Sequence, residues 1–121
     1  TYVRPHRHNA PGKWEFFAIL RGRALVLTFD DAGTVLERHE LSPTGPVQAV
    51  EIAAGTWHTL VASESGTVLL EVKPGPYTPA GPQDFVSWAP AEDGPEAVAL
   101  ERWLHAARVG DRVPYGAVRE L

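Results

Sequence analysis

The sequence predicts an all-β fold, an antiparallel β-barrel of the jelly-roll type with a short C-terminal helix. Short β-prone runs recur along residues 2–73 with turn residues between them, which is the spacing expected of a sandwich or barrel of roughly eight strands. The chain also contains 11 glycines and 11 prolines, and this favours short elements joined by turns. A helical period occurs only near residues 95–108. The length of the whole chain, 121 residues, suits one domain.

Seven segments have the apolar alternation or β-branched composition of strands. They are residues 2–8, 14–20, 24–29, 35–41, 47–52, 57–62 and 67–73. Each ends at residues that favour turns. The clearest turn is residues 30–33, Asp-Asp-Ala-Gly, where Gly33 can adopt a left-handed conformation between two paired strands.

The character of the chain changes after Lys73. Five prolines between Pro74 and Pro90 exclude a central strand and predict an extended segment that wraps across the barrel. A helix is expected over residues 95–108, with Asp93 as its cap and Gly110 beyond its end. We therefore assign residues 1–90 to the barrel with its wrapping segment. Residues 91–121 form a C-terminal helix and tail of the same domain.

Composition excludes several classes of protein. Eleven Lys and Arg against fifteen Asp and Glu give a net charge of −4, and no basic stripe suggests a nucleic-acid partner. Apolar runs are too short to span a membrane, and no signal-peptide pattern opens the sequence, so we expect a cytoplasmic protein. The chain lacks cysteine, which excludes disulfides and thiolate ligands. It also does not begin with Met, and we expect it to be part of a longer chain.

One group of residues suggests a metal site. His6 and His8 are two residues apart on a predicted strand and therefore point to the same face. Glu15 lies on the next predicted strand among apolar residues, where an ionised carboxylate needs a cation. His58 follows a tight turn at Gly55 and is expected to reach the site from the other half of the barrel, whereas Glu15 is expected from the strand beside the two histidines. Three imidazoles and a carboxylate suit divalent iron, zinc, manganese, nickel or copper. The alternative is a solvated strand edge, with Glu15 paired to one of three nearby arginines, Arg4, Arg7 or Arg21.

The same residues resemble the two motifs of the cupin superfamily. The first motif corresponds to His6-x-His8, Glu15 and then Gly22, and the second to residues 53–58, Ala-Ala-Gly-Thr-Trp-His. The chain departs from these motifs in a longer loop between His8 and Glu15, in Ala53 where the family has proline, and in Ala62 where asparagine is common. The resemblance implies that His6, His8, Glu15 and His58 are the metal ligands.

A narrower resemblance is to the WbuC-type cupin-fold metalloproteins. Its most specific segments are residues 71–77, Glu-Val-Lys-Pro-Gly-Pro-Tyr, and residues 84–90, Asp-Phe-Val-Ser-Trp-Ala-Pro. The similarity runs from Thr1 to about Pro90. It implies a bacterial metalloprotein associated with surface-polysaccharide gene clusters, an association that does not by itself define an activity. Our hypothesis is that the protein acts on a sugar-like or carboxylic small molecule in surface-polysaccharide metabolism.

Three further residues are candidates for substrate binding, and one surface for dimerisation. Arg4 shares the predicted face of His6 and His8 and could bind an anionic group, while Lys73 and Tyr77 lie in the family-like segment. Apolar residues also occupy the opposite, outward face of the strand at 14–20. Either the proline-rich segment or a second subunit must cover that face, and we expect a homodimer.

Two functions remain open, because one fold supports both. The protein is either a metalloenzyme, an isomerase or epimerase or a dioxygenase, or a non-catalytic small-molecule-binding or regulatory barrel. A metal-free structural domain is a third alternative.

Overall fold

A computed structural model describes residues 2–8, 12–92 and 94–114. Within this part of the chain, six strands form two antiparallel three-stranded sheets, with strand orders β4-β1-β6 and β3-β2-β5. The strands are β1 (Glu15–Arg21), β2 (Ala24–Phe29), β3 (Val35–Leu41), β4 (Ala49–Ile52), β5 (Trp57–Ala62) and β6 (Val68–Val72). A 3-10 turn (Pro82–Asp84) and one helix, α1 (Pro95–Ala106), follow them. The predicted mainly β fold with one short helix is confirmed.

The prediction of a regular strand at residues 2–8 was wrong. With the described residues, this segment makes only isolated bridges, from Tyr2 to Val61 and from His6 to both His58 and Phe85. Pro5 interrupts the ladder because it has no backbone N–H, and its carbonyl accepts a hydrogen bond from Val86 N at 3.1 Å. The segment therefore lies between β5 on one side and the proline-rich segment on the other.

The core has two parts, one on each side of the β3-β2-β5 sheet. Every residue of β2 is buried. Val26 packs with Phe17 and Ile52 of the other sheet. Leu27 instead belongs to a cluster that also contains Leu104 of α1. The helix and the sheet thus share one hydrophobic core.

The helix ends two residues before the predicted boundary. The N-cap residue is Gly94, which has no side chain that could cap the helix. The predicted cap, Asp93, lies outside the described residues. At the other end, Ala107 already has an extended backbone, with φ −68° and ψ 142°. It is buried in the same cluster as Leu104, so packing of the chain against the core accompanies the end of the helix.

The outward face of the β4-β1-β6 sheet leaves large apolar side chains exposed. Leu20 on β1 and Val68, Leu70 and Val72 on β6 are each more than two-fifths exposed. At the Trp14 end of this face, Trp14 and the proline-rich segment line a common cavity. The homodimer stays a prediction. In the described part of the chain, no helix is long and apolar enough to cross a membrane.

Candidate metal centre

Backbone pairing between the N-terminal segment and β5 brings two histidines together. His6 N donates to His58 O at 3.0 Å, and His58 N donates to His6 O at 2.9 Å. Residues that exchange both hydrogen bonds in an antiparallel pair lie directly opposite each other, so their side chains share a face. The ring centroids of His6 and His58 are accordingly 4.5 Å apart. His8 is two residues further along, with its ring 5.3 Å from that of His6.

The carboxylate of the group comes from the other sheet. Glu15 is the first residue of β1 and pairs with Ile52 of β4. Its side chain is only 2% exposed. The expected arrangement, with Glu15 beside the histidines and His58 arriving from the other half of the barrel, was wrong. His58 lies next to His6, and Glu15 approaches from the other sheet.

Hydrogen bonds to the backbone fix the orientation of two imidazoles. His6 Nδ1 lies 2.9 Å from Arg4 O, and His58 Nδ1 lies 2.8 Å from Thr56 O. A carbonyl oxygen can only accept, so each Nδ1 is the donor and carries the proton. In a neutral imidazole the lone pair is then on Nε2. This is how backbone carbonyls commonly orient metal-ligating histidines.

Four of the converging polar atoms are buried and have no hydrogen-bond partner among the described residues. They are Nε2 of His8 and His58 and both carboxylate oxygens of Glu15. Glu15 Oε1 is 2.8 Å from His58 Nε2 and 3.1 Å from His8 Nε2. These contacts are short, but neither is aligned as a hydrogen bond. Unsatisfied buried polar atoms are costly unless something between them supplies positive charge.

The four residues fit a metal ion. One ligand atom from each of His6, His8, Glu15 and His58 can be chosen so that all four lie within 4.8 Å of one another. Ligands bound to a single ion at about 2.1 Å stand at most roughly 4.2 Å apart, so small side-chain movements would close such a group around an ion. Buried lone pairs, fixed histidine orientation and one carboxylate together match what a divalent transition metal requires.

The ionisation of the group also suits metal binding. Burial raises the pKa of the Glu15 carboxyl, but contacts with His58 and Glu71 outweigh this effect and lower its pKa to about 2. Burial, together with the neighbouring His58, lowers the pKa of His6. An ionised carboxylate and a neutral imidazole are the forms that bind metals.

Glu71 is a second carboxyl near the centre that we did not single out from the sequence. It lies on β6 opposite Phe17 of β1. Contact with Glu15 and partial burial raise its pKa to about 7. The alternation of the sequence could have identified it, because Glu71 lies between the outward-facing Leu70 and Val72 and so occupies an inward position of its strand.

No arginine neutralises Glu15 among the described residues. Arg7 lies over the Trp57 ring at 4.0 Å and is 3.9 Å from Asp31. Arg4 lies over the Phe85 ring and donates to Val86 O at 3.2 Å. The described ion pairs of Glu15 are those with His8 and His58.

Two of the three predicted substrate residues lie beside the centre. Lys73 and Tyr77 line a cavity of about 270 Å³ whose wall also includes His8 and Glu15. Arg4 is absent from this wall, because its guanidinium is held against Phe85 and Val86. A substrate role for any of the three stays a prediction.

Comparisons with known proteins add one finding. The profile of a family described as a domain of unknown function, DUF6016, matches residues 1–41. The matched segment contains His6, His8 and Glu15 but not His58. No curated protein and no solved structure matches the chain.

Proposed function

We propose that this protein binds a divalent transition metal through His6, His8, Glu15 and His58 and uses the site to bind a small molecule. The observation that carries the proposal is the convergence of buried, unpartnered ligand atoms from two sheets on one point. A structural ion pair would instead align its N–H groups with the carboxylate oxygens. A bound ion would supply a Lewis acid able to polarise a ligand oxygen.

We further propose that the fold is a cupin-type jelly-roll barrel. Two observations support this assignment. The two sheets enclose a core between them that contains Phe17 and Val26, and the candidate ligands are contributed by both sides. The histidines and the glutamate of the segments at residues 6–22 and 53–58 also lie close together at this centre, and this proximity supports the proposal.

The ligand set constrains the metal. Three imidazoles with one carboxylate favour iron, zinc, manganese or nickel over calcium or magnesium, which prefer oxygen ligands. Four protein ligands would leave further coordination positions on an ion that prefers five or six. The cavity beside His8 and Glu15 would give a small molecule access to those positions.

The proposed activity is that of a metal-dependent enzyme on a sugar-like or carboxylic small molecule. The reaction classes in view are isomerisation or epimerisation and oxygen-dependent cleavage. Lys73 and Tyr77 would contact the substrate in the cavity, and the backbone carbonyls of Arg4 and Thr56 would hold two imidazoles in place. A place in bacterial surface-polysaccharide metabolism is part of the proposal.

Elemental analysis of protein purified without a nickel column tests the proposal. We expect close to one equivalent of a transition metal in the native protein and a strong loss of metal in His58→Ala. The matched control is His39→Ala, because His39 lies on β3 beside Glu37 and is not in the ligand group. Stoichiometric metal in His58→Ala and in His6→Ala would show that the metal binds elsewhere.

A further inference from the structure

The cavity beside the candidate metal centre contains both lysines of the chain. Lys13 and Lys73 are the only lysines among the 121 residues, and both line this one cavity. Its volume of about 270 Å³ lies just below the usual range of roughly 300–1,000 Å³ for drug-sized ligands, so it suits a smaller molecule.

Two hydrogen bonds fix the Lys13 side chain but leave its ammonium group able to donate to a ligand. Its Nζ donates to Pro74 O at 3.0 Å and to Pro76 O at 2.8 Å. An ammonium group has three donors, so one stays free. No carboxylate oxygen of a described residue is within ion-pair distance of Lys13 Nζ, so its positive charge has no counter-ion in the described part of the chain.

Lys73 has a distant partner. Its Nζ is 3.9 Å from Glu71 Oε2, close to the limit of an ion pair, and the lysine side chain is 38% exposed. Asp84 also lines the cavity, but its carboxylate accepts a hydrogen bond from Gly81 N at 2.8 Å and belongs to the 3-10 turn. Neither lysine is therefore closely neutralised by the cavity's own carboxylates.

Metal binding makes the net charge of the cavity positive. Without metal, the two lysines face two lining carboxylates, those of Glu15 and Asp84, and their formal charges cancel. A divalent ion adds two positive charges and leaves the cavity with two net positive charges. In a partly enclosed site such a balance favours an anion over a neutral molecule.

Aromatic side chains line the same cavity. Trp14 is 39% exposed and Tyr77 is 79% exposed, and both contribute to the wall together with Pro74, Pro76 and Pro79. Exposed aromatic rings at a cavity wall suit a ring or another flat apolar group.

We propose that the cavity binds a small organic anion, with its carboxylate or phosphate group beside Lys13, Lys73 and the metal ligands and its ring against Trp14 and Tyr77. This inference deepens the proposed function and depends on it, since the positive balance requires the metal.

Titration of the metal-loaded protein tests this inference, after elemental analysis has established its metal content. The probes are benzoate and phenyl phosphate, with benzyl alcohol as the neutral ring and inorganic phosphate as the ringless anion. We expect one of the two aromatic anions to bind at least about tenfold more tightly than benzyl alcohol and inorganic phosphate. Which of the two binds more tightly identifies the anionic group. Removal of the metal should abolish the preference for anions.

Variants separate the roles of the side chains. Lys73→Gln should weaken anion binding about tenfold while leaving the metal content unchanged. Arg102→Gln on the exposed side of α1 removes the same charge away from the cavity and should have no effect. Lys13→Gln tests the second lysine, with its melting temperature measured to detect loss of the contacts to Pro74 and Pro76.

Two results would overturn the inference. One is benzyl alcohol binding as tightly as both aromatic anions, and the other is no anion binding at millimolar concentration to fully metallated protein. Either result would leave the metal site intact. Failure to take up metal would instead contradict the proposed function.

Discussion

His6 and His58 form a directly opposed antiparallel pair that exchanges both of its backbone hydrogen bonds. Because the two residues are far apart in the sequence, this pair forms only when the N-terminal segment has docked on β5. Non-local contacts of this kind are costly in loop-closure entropy. A metal ion that joins both histidines to Glu15 would offset that cost and link the two sheets.

Glu15→Gln should weaken metal binding by more than about tenfold. Loss of a residue that only supports a metal ligand already costs at least about tenfold in metal affinity, and loss of a ligand should cost more. Removing the charge should also lower the stability of the metal-free protein near neutral pH, because contacts with His58 and Glu71 hold the pKa of Glu15 below its ordinary value and the folded state therefore favours the ionised carboxylate. Competition with a chelator of known affinity gives the metal affinity, and urea unfolding gives the stability. Glu51→Gln, at an exposed position of β4, is the control. Unchanged metal affinity in Glu15→Gln would mean that this carboxylate is not a ligand.

Removal of the metal should lower the melting temperature of the native protein. A ligand present at 100 times its dissociation constant stabilises the folded state by about 2.7 kcal/mol, which corresponds to roughly 10 °C for a domain of this size. Differential scanning calorimetry with and without a chelator measures the shift. In His58→Ala the chelator should have little effect. A chelator response of equal size in that variant would place the stabilising metal elsewhere.

Tyr2→Phe should cost about 1 kcal/mol near neutral pH, because the Tyr2 hydroxyl donates to Pro90 O at 3.1 Å and closes the N-terminal segment onto the proline-rich segment. Burial raises the pKa of Tyr2 above its unfolded value of 10.0. The folded state therefore holds the phenolic proton more tightly than the unfolded state. The resulting stability is fully present below pH 10 and is lost as the pH rises further. Urea unfolding measures the free energy of unfolding of wild type and Tyr2→Phe, and the difference between the two should be smaller at pH 10.5 than at pH 8. A constant difference would contradict this role.

Leu104→Ala should destabilise the protein by about 2–5 kcal/mol, because Leu104 is fully buried in the cluster that α1 shares with β2. Val98→Ala on the same helix is the control, since Val98 is 58% exposed and should change stability by less than about 0.5 kcal/mol. Chemical denaturation measures both. If the two variants behaved alike, the helix would not be part of the core.

Local sequence patterns predicted most of the strands but not the way in which they meet. The segments at 24–29, 35–41 and 57–62 agree with β2, β3 and β5 because turn residues bound each of them. Residues 2–8 alternate like a strand, yet Pro5 limits them to isolated bridges. Whether Pro5 interrupts pairing depends on which neighbouring segment would accept a hydrogen bond from its missing N–H. The sequence does not specify that neighbouring segment.

The candidate site was also predicted only in part from the sequence. Alternation along the chain predicted that His6 and His8 share a face and that Glu15 points inward. It could not predict that His58 pairs with His6 while Glu15 comes from the other sheet, since register between distant segments is a tertiary property. Glu71 was missed although its position has the same inward pattern as that of Glu15.

The most direct test of the central claim is a crystal structure of the native-purified protein with anomalous diffraction data collected at the absorption edge of the metal found by elemental analysis. We predict one strong anomalous peak between the two sheets, in contact with His6, His8, Glu15 and His58. A fully occupied peak at other residues, or no peak between these four side chains in protein that contains stoichiometric metal, would contradict the account.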